Sequence, residues 1–496
     1  MSLQKKTDTE WITPLGWCLA IAFAVRILIS VFFPASFRSD EIYQYFEPAF
    51  RLVSGHGVIT WEWREGIRSW LVPGFIAALF KFSDALGLGF SLGFVRIVFA
   101  FFSLPLVGVS VWFGWRVAKK QGAWLFGLGM ALWPDIAYGG IRPLGEYFGG
   151  NAIVTATILT VIAIENFKEN DRSYFIFYLC GFLFGIGAIV RFQFAPAALF
   201  YFIFLFLKVG IKPFYRSILS FSLPIILLGF VDFETLGYPF QSIFKNYYFN
   251  SVLGVANNFG REPFLYFVTG YAKIWGFLGF VILILCFVKN NYSYFPILMS
   301  LFILIYHSLI AHKELSFVYP SIALIIFTSI YGLLYYIENR FKIKFINAVI
   351  LEVAACLLLF YGSYENALIY KNYPLSLEHY ASKQDMCGLA ILDVWTKEGN
   401  SERISLDPIV SWADFGGYSY MKKNTPLYLF TDLSEVYKNK GSYSHIIAIS
   451  SLDALYKDIK KIKCKGDICL YKVFDSCTQQ PDFDQFSNAL LKLGNK

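Results

Sequence analysis

The stretch FRSDEIYQYFEPAFRLVSGHGVITWEWREGIRSWLVP, from Phe37 to Pro73, directly follows an apolar run at 14–35. It carries carboxylates, guanidinium groups and aromatic rings at high density. A helix that crosses a bilayer needs about 20 apolar residues, and the preceding run meets that length. We therefore predict that 14–35 is a retained first transmembrane helix, from which the charged stretch emerges at the membrane surface.

The composition of the whole chain is that of a polytopic membrane protein. Of 496 residues, 56% are hydrophobic and 16% are charged, and 53 are phenylalanine. Soluble domains are typically about 25% charged. The net charge of +8 comes without a long basic run, so it indicates basic loops rather than nucleic-acid binding.

Hydropathy predicts about 11–12 transmembrane helices. The runs long enough to count lie at 14–35, 93–115, 122–138, 152–165, 173–190, 194–209, 217–231, 273–288, 293–310, 315–337 and 345–363. The run 70–83 is short and carries Lys81 and Asp84, so we expect it to lie in the interface without crossing. With eleven spans, every basic loop falls on one side, which the positive-inside rule makes cytoplasmic. These loops contain Lys5, Lys6, Arg116, Lys119, Lys120, Lys168, Arg172, Lys212, Arg216, Lys289, Arg340, Lys342 and Lys344.

The opposite, outer side receives the polar segments and the C-terminal region. We predict a transmembrane domain over 1–363, with its first outer loop at 36–69, and a small soluble α/β domain over 364–496. Within the latter, we predict strands at 426–430 and 445–450 and a helix at 451–462. Its even number of cysteines predicts disulfides outside the cytosol, with Cys464–Cys469 plausible and the pairing left open. The candidates are Cys387, Cys464, Cys469 and Cys477.

Two clusters on the outer side have alternative interpretations. Asp40 and Glu41 can supply a part-buried general base, or only a solvated loop start or helix cap. Trp61, Trp63 and Trp70 can stack on sugar rings, or only form an interfacial aromatic belt. Arg64 and Arg68 share a helix face and can bind a lipid phosphate, or only pair with Glu62 and Glu65.

Further charges interrupt the later apolar runs. His312 and Lys313 can hold a phosphate while Glu314 fixes the imidazole tautomer, although an ordinary interhelical loop is the alternative. Intramembrane charges seek partners, so we expect ion pairs. The expected pairs are Arg142 with Glu146, and Arg191 with Asp232. So many charges on one side favour a cavity for an anionic, partly lipidic substrate.

Taken together, these motifs resemble the family 22 glycosyltransferases, polyprenol-dependent mannosyltransferases with the GT-C fold. The family pattern of DE, G-x-G, TWEW and RS is matched in order between Asp40 and Ser69. HKELSFVYP at 312–320, GIRPLGE, IVRFQF and the loop 231–267 extend the likeness over about 36–320. Within the family, the likeness is to enzymes that add the third mannose of glycosylphosphatidylinositol anchors. Ser316 stands where the family has arginine.

The resemblance implies an inverting sugar transfer from a polyprenyl-phosphate donor to a lipid-linked glycan or glycolipid, without metal or other cofactor. Asp40 would be the base, in a catalytic pair with Glu41. Arg191, His312, Lys313 and Glu314 would bind the donor phosphate. The implied substrate-binding residues are Trp61, Glu62, Trp63, Arg68, Arg142, Glu146, Asp232, Asn250 and Tyr266.

Other interpretations stay open at the level of sequence. They are a protein O-glycosyltransferase that uses the same donor, and a non-enzymatic lipid or sugar transporter. A transporter typically has inverted sequence halves, which we do not find. We expect a monomer with the bilayer, the lipid donor and a glycan acceptor as its partners, and no nucleic acid. The expected location is a bacterial inner membrane with the site facing the periplasm, or the endoplasmic reticulum membrane with the site facing the lumen.

Overall fold

A computed structural model of the chain shows two compact units. It describes residues 10–32, 39–169, 174–287, 294–337, 339, 344–369, 373–393, 395–398, 402–405, 411–421, 424–455 and 458–494. The first unit is Met1–Pro34 with Arg96–Ile369, and the second is Ala35–Val95 with Tyr370–Lys496. The charged stretch after the first helix is thus grouped with the C-terminal residues. Of the cations used to predict orientation, Lys5, Lys6, Arg172, Lys289, Arg340 and Lys342 lie outside the described residues.

Apolar helices build the first unit. They span Ile12–Phe32, Leu92–Leu132, Pro134–Gly139, Gly145–Glu169, Tyr174–Val190, Ala195–Lys208, Ile211–Leu236, Gln241–Tyr247, Tyr266–Cys286, Tyr294–Ser308, Tyr319–Tyr336 and Phe345–Ile369. Leu92–Leu132 is interrupted by non-helical backbone at Ala118 and Lys119, so it holds two of the predicted spans. Every predicted span falls on a helix, and six helices are long and apolar enough to cross a membrane. The prediction of a mostly α polytopic protein is confirmed.

Small residues allow the closest helix packing in this unit. Tyr174–Val190 lies against Ile211–Leu236, where a Cβ atom on Gly181 would clash with the Ser217 carbonyl. Helices in lipid gain little from the hydrophobic effect, so such close backbone approach is a main source of their association. The glycines in this apolar run therefore specify which helix it packs against.

The second unit combines short helices of the outer loop with the C-terminal α/β residues. Its helical segments are Ser39–Glu41, Ile42–Phe46, Glu47–Ser54, Trp61–Arg64, Leu71–Ala85, Tyr373–Ala381, Gly417–Met421, Glu435–Lys438, Leu452–Leu455 and Gln485–Gly494. Leu71–Ala85 has 15 residues, fewer than the roughly 20 that a span needs. One of its faces, which includes Ile76 and Phe80, is buried.

A five-stranded sheet is the core of the C-terminal residues. The described C-terminal residues contain, besides this sheet, a two-stranded pair. In chain order the strands are β1 (Leu389–Leu392), β2 (Trp395–Glu398), β3 (Glu402–Ser405), β4 (Leu427–Phe430), β5 (His445–Ile449), β6 (Lys460–Lys465) and β7 (Ile468–Lys472). The sheet order is β4-β1-β5-β7-β6, with β1 parallel to β4 and β5, and β7 antiparallel to β5 and β6. β2 and β3 form a separate antiparallel pair. The predicted strands at 426–430 and 445–450 correspond to β4 and β5.

The helix predicted at 451–462 is wrong in its second half. Helical structure is present over Leu452–Leu455, but Lys460 begins β6. β6 pairs with β7 across a turn at Gly466, whose φ is 56°. Pairing in the sheet outweighs the local helical pattern, and the lysines of this edge strand discourage pairing with another chain.

Four cysteines of this unit form two disulfides. Cys387 is bonded to Cys477, and Cys464 is bonded to Cys469 across the β6–β7 turn. Cys387 immediately precedes the glycine before β1, so the first bond links the start of this interior strand to the segment before the last helix. The described thiols of the other unit, Cys18, Cys180, Cys286 and Cys356, are buried and free.

Candidate active site

The predicted site residues form two groups, one in each compact unit. Asp40, Glu41, Trp61, Glu62, Trp63 and Arg68 lie in the second unit. Arg142, Glu146, Arg191, Asp232, Asn250, Tyr266, His312, Lys313 and Glu314 lie in the first. Each group is described in its own unit.

Asp40 lies in a helical turn. Ser39–Glu41 is α-helical, and a π-helical turn at Ile42–Phe46 follows before α-helix resumes at Glu47. Asp40 is half-buried and Glu41 is buried. π-Turns are rare and occur frequently at functional sites, where they reset the direction of side chains. The acid of the DE motif is therefore held on a rigid element and not on a loop.

Arg68 provides positive charge beside Asp40. Its Nε and Nη2 atoms donate to Glu62 Oε1 at 3.2 and 2.6 Å. Burial disfavours the charged guanidinium, but the carboxylates of Glu62 and Asp40 outweigh it and raise the pKa of Arg68. Arg68 thus lies within electrostatic reach of Asp40. Glu62, predicted to bind substrate, makes an ion pair with Arg68.

Trp63 of the TWEW motif has a structural role. Trp63 is 7% exposed, and its Nε1 donates to the Tyr43 carbonyl at 3.0 Å. Its ring packs on Trp70 with the centroids 4.5 Å apart. Trp61 is half-buried. Trp63 therefore fixes Trp61–Arg64 against the helix that carries Asp40, and stacking of either ring on a sugar stays a prediction.

Glu47 is a buried carboxylate that the sequence reasoning missed. Its Oε2 accepts from the Val58 amide at 2.8 Å, and its Oε1 accepts from the Ser419 amide at 2.7 Å. Burial raises the pKa of Glu47, and the hydrogen bonds from Val58 and Ser419 oppose that rise. One side chain thus connects the helix after Asp40 to the following loop and to the C-terminal residues.

Glu47 also accounts for the G-x-G motif. Gly55 ends the helix Glu47–Ser54 with φ at 81°, a conformation that glycine adopts without steric cost. A Cβ atom on Gly57 would lie 2.8 Å from the Glu47 carbonyl oxygen. The two glycines let the chain turn back at once, which brings Val58 to the Glu47 carboxylate.

The segment 412–421 contacts the Asp40 helix. The Tyr43 hydroxyl donates to the carbonyls of Trp412 and Phe415 at 3.0 and 3.1 Å. The Gly416 amide donates to Glu378 at 2.6 Å, and burial raises the pKa of Glu378 to about 8. Tyr43 and Trp412 are 369 residues apart in sequence, so no local pattern indicated this contact.

In the first unit, the strongest ion pair joins Glu146 and Arg191. Arg191 Nη1 lies 2.6 Å from Glu146 Oε1, and the Glu146 side chain is 1% exposed. The expected pair of Arg191 with Asp232 is wrong. Asp232 instead accepts from the amide and hydroxyl of Ser242, at 3.0 and 2.5 Å. Asp232 therefore holds the first turn of the helix Gln241–Tyr247, in which Ser242 is the second residue.

Aromatic rings flank Arg142, which is 1% exposed, and Arg191, whose side chain is 11% exposed. The Arg142 guanidinium lies 4.1 Å from the Tyr138 ring centroid, and that of Arg191 lies 4.4 Å from Phe317. The Phe317 ring is also 5.8 Å from the His312 ring. Cation–π contacts are worth about 2 kcal/mol when desolvated. Phe317 thus brings the Arg191 helix end and the HKE turn into one neighbourhood.

Backbone carbonyls hold the HKE turn. Lys313 Nζ donates to the Glu262 carbonyl at 2.6 Å, and His312 Nδ1 lies 3.3 Å from the Gly260 carbonyl. His312 Nε2 is 3.6 Å from Glu314 Oε1, a contact that suits the proposed orienting part of Glu314. The Lys313 residue is 5% exposed. Carbonyls of the loop 231–267 therefore hold both side chains in place.

The remaining predicted residues lie along that loop. Asn250 Nδ2 donates to Asn246 Oδ1 at 2.8 Å, and Tyr266 begins the helix Tyr266–Cys286. Ser316 is 3% exposed. Among the described residues, no three His, Cys, Asp or Glu side chains form a group that could hold a metal ion.

Comparison with known proteins assigns the fold. The crystal structure of ArnT from Cupriavidus metallidurans bound to undecaprenyl phosphate covers 95% of this chain and 100% of its own, at a TM-score of 0.54 and 9% identity. The apo ArnT structure covers 95% and 99% at a TM-score of 0.57. At this identity the likeness shows the fold alone, and it confirms the predicted GT-C type.

Sequence relatives give the family. GPI mannosyltransferase 3 of Yarrowia lipolytica is 24% identical over 318 residues, which cover 62% of this chain and 60% of that protein. GPI alpha-1,2-mannosyltransferase 3 of Homo sapiens is 25% identical over 324 residues, 61% of this chain and 55% of that protein. The matched stretch thus spans less than two thirds of these relatives. The profile of the Alg9-like mannosyltransferase family matches residues 17–387, three quarters of the sequence, and the chain belongs to that family.

Proposed function

We propose that the chain is an inverting membrane mannosyltransferase that uses a polyprenyl-phosphate donor and a lipid-linked glycan or glycolipid acceptor. Family membership supports the class of reaction. The observation that carries the catalytic assignment is the placement of Asp40. It lies half-buried on a helix, with the charge of Arg68 acting on it. A general base needs a carboxylate that is held within reach of the proton it takes.

Asp40 takes the proton of the attacking acceptor hydroxyl. The hydroxyl oxygen forms a bond to the anomeric carbon from the side opposite the phosphate, so the configuration inverts. The bond from that carbon to the phosphate oxygen breaks, and its electron pair leaves with the polyprenyl phosphate. Phosphate is a good leaving group, so the step needs stabilisation of charge but no metal or other cofactor.

Arg191, His312 and Lys313 stabilise that leaving phosphate. Preorganised cations aimed at a developing charge are among the largest contributions to catalysis. The Arg191 guanidinium is fixed by Glu146 and Phe317, while Lys313 uses one of its three N–H donors on Glu262. ArnT, which shares the fold, was crystallised with undecaprenyl phosphate bound, and this supports a lipid phosphate as the donor carrier.

An apolar groove supports the proposed lipid tail. It measures about 530 Å³ and lies between the helices Ala195–Lys208 and Ile211–Leu236. Its lining is apolar throughout and consists of Leu199, Phe202, Ile203, Phe206, Leu207, Phe214, Ile218 and Phe221. The first of these helices begins four residues after Arg191. The lining begins at Leu199, eight residues or about 12 Å of helix after Arg191, so a prenyl chain would reach the groove after the first turn of that helix.

The proposed location follows from the same assignment. The distribution of basic loops supports a site on the outer face of a bacterial inner membrane, or on the luminal face of the endoplasmic reticulum membrane. Lipid-linked donors and glycolipid acceptors are both held at such a surface.

The test is sugar transfer by the purified full chain in lipid nanodiscs. Labelled polyprenyl-phosphate mannose and labelled GDP-mannose are each offered with a panel of glycolipid and peptide acceptors. We expect transfer from the lipid donor to glycolipid, and a loss of about 10²–10⁴-fold in the Asp40→Asn variant. Asp458→Asn, at an exposed aspartate of the second unit, is the matched control and keeps full activity.

Each of the other possible outcomes would contradict one part of the proposal. Turnover of GDP-mannose would replace the donor class. Transfer to peptides alone would make the chain a protein glycosyltransferase. Normal turnover of Asp40→Asn would exclude this residue as the base, and no turnover by folded protein with any donor would favour a transporter.

A further inference from the structure

A second open cleft, of about 400 Å³, lies within the second unit. It is formed where the helix Gln485–Gly494 packs beside Trp61–Arg64. Outer-loop and C-terminal side chains share its lining, which consists of Arg51, Ile59, Trp63, Arg64, Trp70, Asp484 and Asn488. Its volume is in the range of small-molecule sites.

One edge of the cleft is polar and already organised. Arg51 Nη1 lies 2.9 Å from Asp484 Oδ1, and Arg64 Nη2 donates to Asn488 Oδ1 at 3.2 Å. The Arg51 side chain is 33% exposed and that of Asp484 is 57% exposed. A guanidinium has five N–H donors, and a carboxylate and an amide offer several further hydrogen-bonding positions. These planar groups can therefore pair with adjacent hydroxyls of a ligand.

The other wall is aromatic and rigid. Trp63 and Trp70 pack on each other, and Trp63 is fixed by its hydrogen bond to the Tyr43 carbonyl. Aromatic rings offer large apolar faces at a low cost in conformational entropy. A pyranose presents an apolar C–H face and a rim of hydroxyls, so its two surfaces match this wall and this edge.

We propose that the cleft binds a sugar residue of the acceptor glycan, and that the C-terminal helix contributes to acceptor choice. The inference rests on the proposed function, because it presumes that a glycan is the acceptor. The acceptor fits better than the donor, since the donor's prenyl tail requires a wholly apolar surface. Asp484 and Asn488 lie beyond residue 387, where the family match ends. Acceptor choice would therefore depend in part on residues outside the shared family region.

Direct binding tests the cleft without any turnover. Saturation-transfer NMR is recorded on the full chain in nanodiscs with free mannobioses and glucosamine-containing disaccharides as probes. We expect saturation of the ring protons of at least one disaccharide. In the double variant Asp484→Ala with Asn488→Ala, we expect its affinity to fall at least tenfold. Both positions are exposed, and the exposed Lys492→Ala in the same helix is the control that keeps binding.

A kinetic measurement identifies the substrate concerned. In the transfer assay, we expect the double variant to raise KM for the acceptor while KM for the lipid donor stays constant. Equal disaccharide binding by variant and wild type would overturn the proposal, as would a rise confined to the donor KM. Binding of inorganic phosphate but of no disaccharide would also overturn it.

The two proposals fail separately. If Asp40→Asn binds the disaccharide as the wild type does and the double variant does not, the cleft is a sugar site whatever the outcome of the transfer assay. If no donor is turned over, the mannosyltransferase proposal fails while the binding result stands.

Discussion

The buried carboxylates near the proposed base and the cations of the proposed phosphate site are held in opposite ways. In the second unit, buried carboxylates rest on backbone amides: Glu47 accepts from Val58 and Ser419, and Glu378 accepts from Gly416. In the first unit, cations rest on acceptors: Lys313 donates to the Glu262 carbonyl, and Arg191 pairs with Glu146.

The difference matches two chemical tasks. A surface rich in amide donors suits acidic groups, and it fixes the helix that carries the proposed base. A surface of carbonyl and carboxylate acceptors suits cations that must be held in place before an anionic phosphate binds. Both tasks require groups that are already in place, because reorganisation during reaction adds to the barrier.

The largest expected effect comes from breaking the ion pair between Glu146 and Arg191 in the first unit. Glu146→Leu leaves Arg191 buried without its partner, which typically costs about 3–5 kcal/mol. We expect a large fall in the thermal midpoint and loss of transfer. Both are measured on protein in nanodiscs.

The double variant Glu146→Leu with Arg191→Leu separates stability from function. It removes both charges, so we expect much of the thermal midpoint to return while transfer stays absent. Recovery of activity would mean that Arg191 does not act on the phosphate.

The second effect concerns the two disulfides of the second unit. Removing Cys387–Cys477, whose residues are 90 apart, should cost about 2–5 kcal/mol. Removing Cys464–Cys469, whose residues are 5 apart, should cost less because its loop is short. Paired Cys→Ser variants are compared by thermal unfolding. Equal losses would contradict the loop-length argument.

The third effect tests the hydrogen bonds that the Glu47 carboxylate accepts from two backbone amides. Glu47→Gln keeps the shape but presents an NH₂ group to one of the two amides, so one donor is left unpaired. We expect a loss of about 1–3 kcal/mol. We also expect reduced transfer, because the helix that carries Asp40 loses a contact.

Asp467→Ala, at an exposed position of the same unit, is the control for Glu47→Gln. Limited proteolysis of the second unit gives the stability readout. Unchanged cleavage of Glu47→Gln would show that the two amide contacts contribute little.

The last expected effect is a pH dependence that comes from Glu378. Its pKa is raised to about 8, so from about pH 4.5 to about pH 8 the folded form keeps a proton that the unfolded form has lost. Stability is therefore greatest below this window and falls by up to about 1.4 kcal/mol per pH unit as pH rises through it. Thermal midpoints across pH 4–9 should show a shallower fall for Glu378→Gln. Identical slopes would exclude Glu378 as the source.

Sequence patterns predicted much of the fold and the identities of the motif residues. Apolar runs indicated every span, because helix formation in lipid depends mainly on local composition. The helix at 451–462 was partly wrong because β6 owes its conformation to pairing with β7. The predicted pair of Arg191 with Asp232 was wrong, because the rule that intramembrane charges are paired does not specify which carboxylate is the partner.

By itself, the sequence determined the membrane class, the helices, the family motifs and the cysteines available for disulfides. Those features depend on composition and short spacing, which are local properties. Only the tertiary structure decided which charges meet: Glu146 with Arg191, Glu47 with Ser419, and Asp484 with Arg51. Contacts between residues far apart in the sequence depend on how the elements pack, and no local pattern contains that information.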